Sequence, residues 1–156
     1  CLIGYSDFFT KKQVPYKSSP FWDAARYLYT KTKGITDTPA EAIFWSNLWK
    51  LDEGKGRPSK ELSELLLNHF SVLREEIRIL RPDAVVFFTG PKYEDDLRQM
   101  MKCEMPRDWP VSFIRPTSEI PLLIRTYHPK YLRLSKKWAS VLDKVVKLIS
   151  DQASTI

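Results

Sequence analysis

Two polar residues stand at the ends of otherwise apolar runs. Asn47 lies near the end of Ala42-Ile43-Phe44-Trp45-Ser46-Asn47-Leu48-Trp49, and His128 follows Pro121-Leu122-Leu123-Ile124-Arg125-Thr126-Tyr127. An asparagine amide offers a donor and an acceptor together, which suits reading an amide-like edge such as that of a pyrimidine. A neutral histidine can donate to a developing oxyanion. Each has a plainer reading when taken singly: Asn47 as a turn or cap residue, and His128-Pro129 as an ordinary loop. Their joint placement favours a site, because parallel strands present ligands beyond their carboxyl ends.

Beyond His128 the chain runs Pro129-Lys130-Tyr131-Leu132-Arg133-Leu134-Ser135-Lys136-Lys137. Four basic residues are interleaved there with a Tyr and two Leu. That mixture suits a segment that holds phosphates while pushing an apolar wedge into a base stack. The competing reading, weighed equally, is a solvated helix start with Leu134 tucked into the core. Lys130, Tyr131, Leu132 and Arg133 are the expected DNA contacts.

The elements that must position these residues follow from periodicity. Val85 to Phe88 form an apolar run between a Pro and a Thr-Gly-Pro step, which predicts a central parallel strand. Ala42–Trp49 and Pro121–Tyr127 predict two more strands, and Val111–Ile114 a short one. Helices are expected over Pro20–Lys33, with Ser19 as cap and Gly34 as stop. Others are expected from Ser59 through Leu80 on a leucine-rich stripe, over Pro91–Lys102, and on Trp138, Val141, Leu142, Val145, Leu148 and Ile149. The alternation of strand and helix implies a three-layer α/β/α sandwich around a mostly parallel four-stranded sheet, in one domain over 1–156.

Composition narrows the function classes. A hydrophobic content of 43% argues against disorder. No apolar run approaches membrane-spanning length, and no secretory leader opens the chain. Two cysteines, Cys1 and Cys103, are too few for a disulfide framework, so a reducing, cytoplasmic setting is expected. With only His69 and His128 besides, no metal or other cofactor is expected. The acids Glu94, Asp95 and Asp96 are read as favourable charges at a helix N-terminus rather than as metal ligands. The formal net charge of +6 suits a polyanionic partner, and equally suits ordinary solubilising charge.

At these residues the chain resembles the uracil-DNA glycosylase superfamily. Ile43-Phe44-Trp45-Ser46-Asn47-Leu48 is similar to the strand whose Asn reads the uracil edge. Glu76-Ile77 through Pro82-Asp83-Ala84-Val85-Val86-Phe87-Phe88-Thr89-Gly90 is similar to the family's helix-strand-Gly segment. Thr126-Tyr127-His128-Pro129 is similar to its His-Pro motif. The similarity runs in order and spacing over roughly residues 20 to 150. It implies a base-flipping pocket in which Asn47 holds the base, His128 stabilises the departing uracil, and Leu132 or Tyr131 fills the vacated stack. The family's first motif carries a water-positioning acid. In this chain only Leu2-Ile3-Gly4-Tyr5-Ser6-Asp7 stands in that position, with Asp7 as a weak stand-in, and the motif itself is expected upstream of Cys1. Lys130 replaces the family's usual small residue after His-Pro.

The expected function is therefore a DNA-base N-glycosidase, excising uracil or a related base by flipping and hydrolysis, with Asp7 and His128 catalytic. The alternative is a non-catalytic nucleic-acid-binding module. Single- or double-stranded DNA is the expected partner, with no membrane, and a monomer is expected. An unrelated α/β hydrolase finds no support, since no Gly-x-Ser-x-Gly elbow or Gly-rich phosphate loop is present.

Overall fold

The computed structural model describes residues 19–36, 43–51, 54, 58–69, 72–117 and 120–153. The chain divides into two compact units, Ser46–Thr126 and the pair of segments Cys1–Trp45 and Tyr127–Ile156.

The second of these is helical among its described residues. Helix α1 (Pro20–Lys33) begins with Pro20 at its first turn and stops at Gly34, which adopts a left-handed conformation (φ 67°) and donates its N–H to the Thr30 carbonyl. Ser19 occupies the cap position, but its side chain makes no capping bond. Its carbonyl accepts the Asp23 N–H at 3.0 Å instead. The short α5 and the long α6 of this unit (residues 129–134 and 138–153) pack on α1. Their meeting face is built from Ala24, Ala25 and Leu28 of α1 with Leu132, Val141, Leu142 and Val145. The two alanines remove bulk where the helices approach, while the larger side chains come from the other side. Tyr27 donates its hydroxyl to Asp143 at 2.6 Å, joining α1 to α6 at the surface. That bond pushes the Tyr27 hydroxyl pKa up, helped by burial.

The Ser46–Thr126 unit holds the sheet. Helices α2 (Lys60–His69) and α3 (Val72–Leu80) lie where one long helix is expected, on either side of residues 70–71, which are not described. Ser59 caps α2 as expected, its hydroxyl accepting the Leu62 N–H at 3.3 Å. Strand β1 (Ala84–Phe87) is followed by a single 3₁₀ turn (Pro91–Tyr93) and helix α4 (Glu94–Met101), then β2 (Val111–Ile114) and β3 (Leu122–Thr126). Gly90 links the exits of two strands: it sits at φ 66°, a glycine conformation, and donates its N–H to the Thr126 carbonyl at 3.0 Å. The core of this unit is Phe87, Leu97, Met101, Met105 and Leu123.

The sheet differs from the expected four-stranded, mostly parallel one. Among the described residues it has three strands in the order β1-β3-β2. β1 runs parallel to the fully buried β3, with Val86 opposite Ile124, and β2 runs antiparallel to it, with Phe113 opposite Ile124. The sandwich expectation falls with it. Two physical reasons account for this. First, the connection between β2 and β3, residues 115–121, is shorter than the roughly dozen residues a parallel crossover needs. Second, residues 43–49 form no strand. Trp45 packs against Phe21 and Trp22, with ring centroids 6.0 and 5.9 Å away. Ser46 and Lys50 are tied through side chains to Glu76 of α3. These side-chain attachments hold the run in irregular backbone where the apolar pattern alone suggested a ladder.

Candidate nucleic-acid interface

His128 sits one residue beyond Tyr127, the first residue after β3, and forms the N-terminal cap of α5 (Pro129–Leu134). Proline at the first helical position needs no N–H partner and is preset for the helix. The histidine ring does the capping: its Nδ1 accepts the Lys130 N–H at 3.2 Å. A nitrogen that accepts carries no proton, so the neutral ring holds its proton on Nε2. Partial burial of the ring, then the charge of Lys130, pushes the His128 pKa below its ordinary value of 6.5. The ring is thus an uncharged Nε2–H donor at neutral pH, which is the form able to hydrogen-bond an anion without being one half of an ion pair.

One turn of α5 divides the expected contacts between surface and core. Lys130 is exposed, and Tyr131 is 46% exposed with its ring 4.7 Å from that of Tyr127. Leu132, expected to contact DNA or fill a base stack, has no accessible surface. It points at the helical core of its own unit, so the wedge role assigned to it is corrected. Leu134, which one reading placed in the core, is instead 76% exposed. Arg133 is also diverted: it pairs with Asp23 and stacks on Trp138, 4.8 Å from the ring centroid. It therefore ties α5 to α1 and α6 at the surface, with its side chain still 41% exposed. The turn that follows, Ser135-Lys136-Lys137, returns the chain through a left-handed Lys136 (φ 57°), and the Lys137 N–H bonds the Leu132 carbonyl at 2.9 Å. Lys130, Lys136 and Lys137 are exposed and ion-pair with nothing among the described residues. His128, Lys130, Tyr131, Leu134, Lys136 and Lys137 thus share one short stretch. The outward facing of Leu134 escapes the sequence pattern because a six-residue helix is too short for periodicity to say which leucine faces in.

Asn47 belongs to the other unit, where it is an exposed residue in irregular backbone rather than the last residue of a strand. Asp7 lies outside the described residues. A second polar centre, which the sequence pattern does not signal, lies in the same unit as Asn47. Arg125 of β3 is fully buried, with Nη1 3.0 Å from Glu94 Oε1, Nη2 donating to the Pro106 carbonyl at 2.9 Å, and its guanidinium 4.5 Å from the Trp109 ring centroid. The Glu94 contact is close without hydrogen-bond alignment. Arg98 is held by Asp95 at 3.1 Å and Glu104 at 3.0 Å. Glu94 and Asp95 at the start of α4 therefore have arginine partners, which is a fuller reason for their presence than the helix dipole alone.

Electrostatics separates the units. Residues 46–126 hold thirteen Lys and Arg against thirteen Asp and Glu, so the remaining segments carry the whole +6 of the chain. No helix among the described residues is long and apolar enough to cross a membrane. No protein-family model, curated protein or solved structure matches this chain.

Proposed function

We propose that this protein binds DNA through the His128–Lys137 segment. The observation that carries the reading is the exposed trio Lys130, Lys136 and Lys137, ion-paired with nothing among the described residues, around the exposed Tyr131 and Leu134. The lysines supply sequence-independent attraction to phosphates. Tyr131 and Leu134 supply an aromatic face and an apolar tip to set against unpaired or opened bases. Binding of the intact chain to a short DNA duplex, followed by anisotropy across roughly 50 to 200 mM salt, tests this. The Lys130→Ala/Lys136→Ala variant flattens the slope of log affinity against log salt by about 1.8, at about 0.9 for each phosphate no longer neutralised. An unchanged slope would remove these lysines from the interface.

A second reading, N-glycosidic hydrolysis of a flipped base, is favoured by one observation: the neutral His128 ring with its proton on Nε2. Such a donor would stabilise charge on a departing uracil, and the resemblance to the uracil-DNA glycosylase superfamily supports it. Release of uracil from single- and double-stranded DNA is measured for this chain and for a form extended upstream of Cys1. Release that disappears in His128→Gln supports the hydrolytic reading. No release by either form, with binding intact, leaves DNA binding alone.

A further inference from the structure

Helix α6 (Trp138–Ala153) has two distinct faces. Val141, Leu142 and Val145 are buried against its own unit. Ser140, Lys144 and Lys147 are exposed, and Lys137 continues their line into the preceding turn. Positions 137, 140, 144 and 147 follow steps of three, four and three, so they form one row along the helix. The exposed acid in the same turns, Asp143, is engaged by the Tyr27 hydroxyl. The row ends four residues beyond Lys147 at Asp151. Lys144 and Lys147 ion-pair with nothing among the described residues.

This charge does not serve the helix. Lys136 and Lys137 stand immediately before the positive end of the α6 dipole, and its first turn holds no acid, so both charges oppose the helix's own field. The row also lacks what a membrane-lying helix needs, since no large apolar side chain of α6 is among the exposed ones. What a row of lysines along one exposed helix face, ion-paired with nothing among the described residues, does fit is a linear polyanion. From Lys137 to Lys147 the row spans about 15 Å at the helical rise. That is the axial length of about four nucleotides of duplex, at roughly 3.4 Å per nucleotide of one strand.

We infer that the Lys137–Lys144–Lys147 row is a second phosphate-tracking surface, which extends the footprint of a bound nucleic acid along α6. The inference rests on the DNA-binding reading of the His128–Lys137 segment and adds to it the direction and length of the contact. Lys137 belongs to both surfaces, so the footprint turns at residues 135–137 and continues along the helix.

The test uses the intact chain, a uracil-free duplex oligonucleotide and, separately, vesicles containing phosphatidylserine. Lys144→Ala/Lys147→Ala removes two charges from the row at exposed sites where alanine favours the helix. The expected result is a salt slope shallower by about 1.8 on duplex and about 1.4 on a single strand, with no loss of melting temperature. Lys31→Ala/Lys33→Ala removes the same charge from α1 and leaves the slope unchanged. Equal flattening by both variants would show a general charge effect and overturn the row. So would an unaltered slope in the α6 variant while Lys130→Ala/Lys136→Ala flattens it, which would leave the first surface standing. A wild-type chain that binds no nucleic acid at low salt overturns both surfaces. Vesicle binding that depends on Lys144 and Lys147 where duplex binding does not would reassign the row to an anionic lipid surface.

Discussion

In the unit formed by Ser46–Thr126, several cations are paired with acids: Lys50 with Glu76, Arg98 with Asp95 and Glu104, Arg125 with Glu94, and at the surface Arg78 with Glu75. In the other unit, Asp23 takes both Arg26 and Arg133, and the lysines of α1, α5 and α6 ion-pair with nothing among the described residues. The division follows side-chain chemistry. Arginine presents a planar fork that meets a carboxylate, a carbonyl and an aromatic face at once, as Arg125 does with Glu94, Pro106 and Trp109. Lysine is a strongly hydrated point charge on a flexible stem, readily left in water and available to a phosphate. The sheet-bearing unit buries an arginine among acid, carbonyl and ring, while the helical unit leaves the lysines of its helices exposed.

The sharpest way to break that comparison is to remove the inward charge. Arg125→Ala leaves the Glu94 carboxylate only the more distant Arg98 and Arg107, each 3.9 Å from Oε1, and uncaps the Pro106 carbonyl; it destabilises the protein by about 3–5 kcal/mol in urea unfolding. Arg125→Met with Glu94→Gln recovers most of that stability, because the buried charge then goes with its partner. A single-variant cost under about 1 kcal/mol, the range of an exposed pair, would mean that Arg125 is no more structural than the surface lysines.

How much of this is legible in the sequence divides along the same line. The α6 stripe, the buried β3 run and the β1 run between Pro82 and Gly90 are long or punctuated enough for pattern to declare them, but β1, expected at the centre of the sheet, lies at an edge of its described strands, and β3 is the central one. The run at residues 43–49 misleads because its residues are strand formers by type, while Trp45, Ser46 and Lys50 are claimed individually by aromatic rings and Glu76. The antiparallel direction of β2 is implicit in the short connection over residues 115–121, a signal that the alternation of strand and helix obscures. Arg125 is invisible for a different reason. A charged residue in a buried strand is intelligible only once Glu94, Trp109 and the Pro106 carbonyl surround it, and those lie 16 to 31 positions away in sequence. Of the proposed interface, the basic run is legible and the facing of its two leucines is not.

Those two leucines sharpen the comparison inside the cationic unit. Leu132→Ala empties a buried position beneath α5 and costs about 2–5 kcal/mol. Leu134→Ala, two residues on, changes stability by no more than about 0.5 kcal/mol, and it weakens binding to DNA carrying a mismatch or an opened base more than binding to a paired duplex. Equal drops in stability for the two would mean that α5 is rotated from the arrangement described. A Leu134→Ala protein with unaltered preference for opened bases would strip the wedge role from that residue.

The smallest effect is a pH dependence confined to the cap of α5. The folded His128 pKa lies below its ordinary value, chiefly through partial burial and then through Lys130. The unfolded chain therefore takes up the proton first as pH falls. The stability of the neutral ring is present in full above about pH 6.5, declines as pH drops through that value, and levels off below the folded pKa, where both states are protonated. Protonation also converts Nδ1 from an acceptor to a donor facing the Lys130 N–H, so the cap bond breaks in the same step. In His128→Gln the side-chain carbonyl can accept that N–H without titrating. The variant should keep the melting temperature of the wild type near neutral pH and lack the part of its decline that sets in just below about pH 6.5. If both proteins decline alike, the titrating group lies elsewhere, and the neutral ring at the head of the proposed DNA-binding segment loses its electrostatic basis.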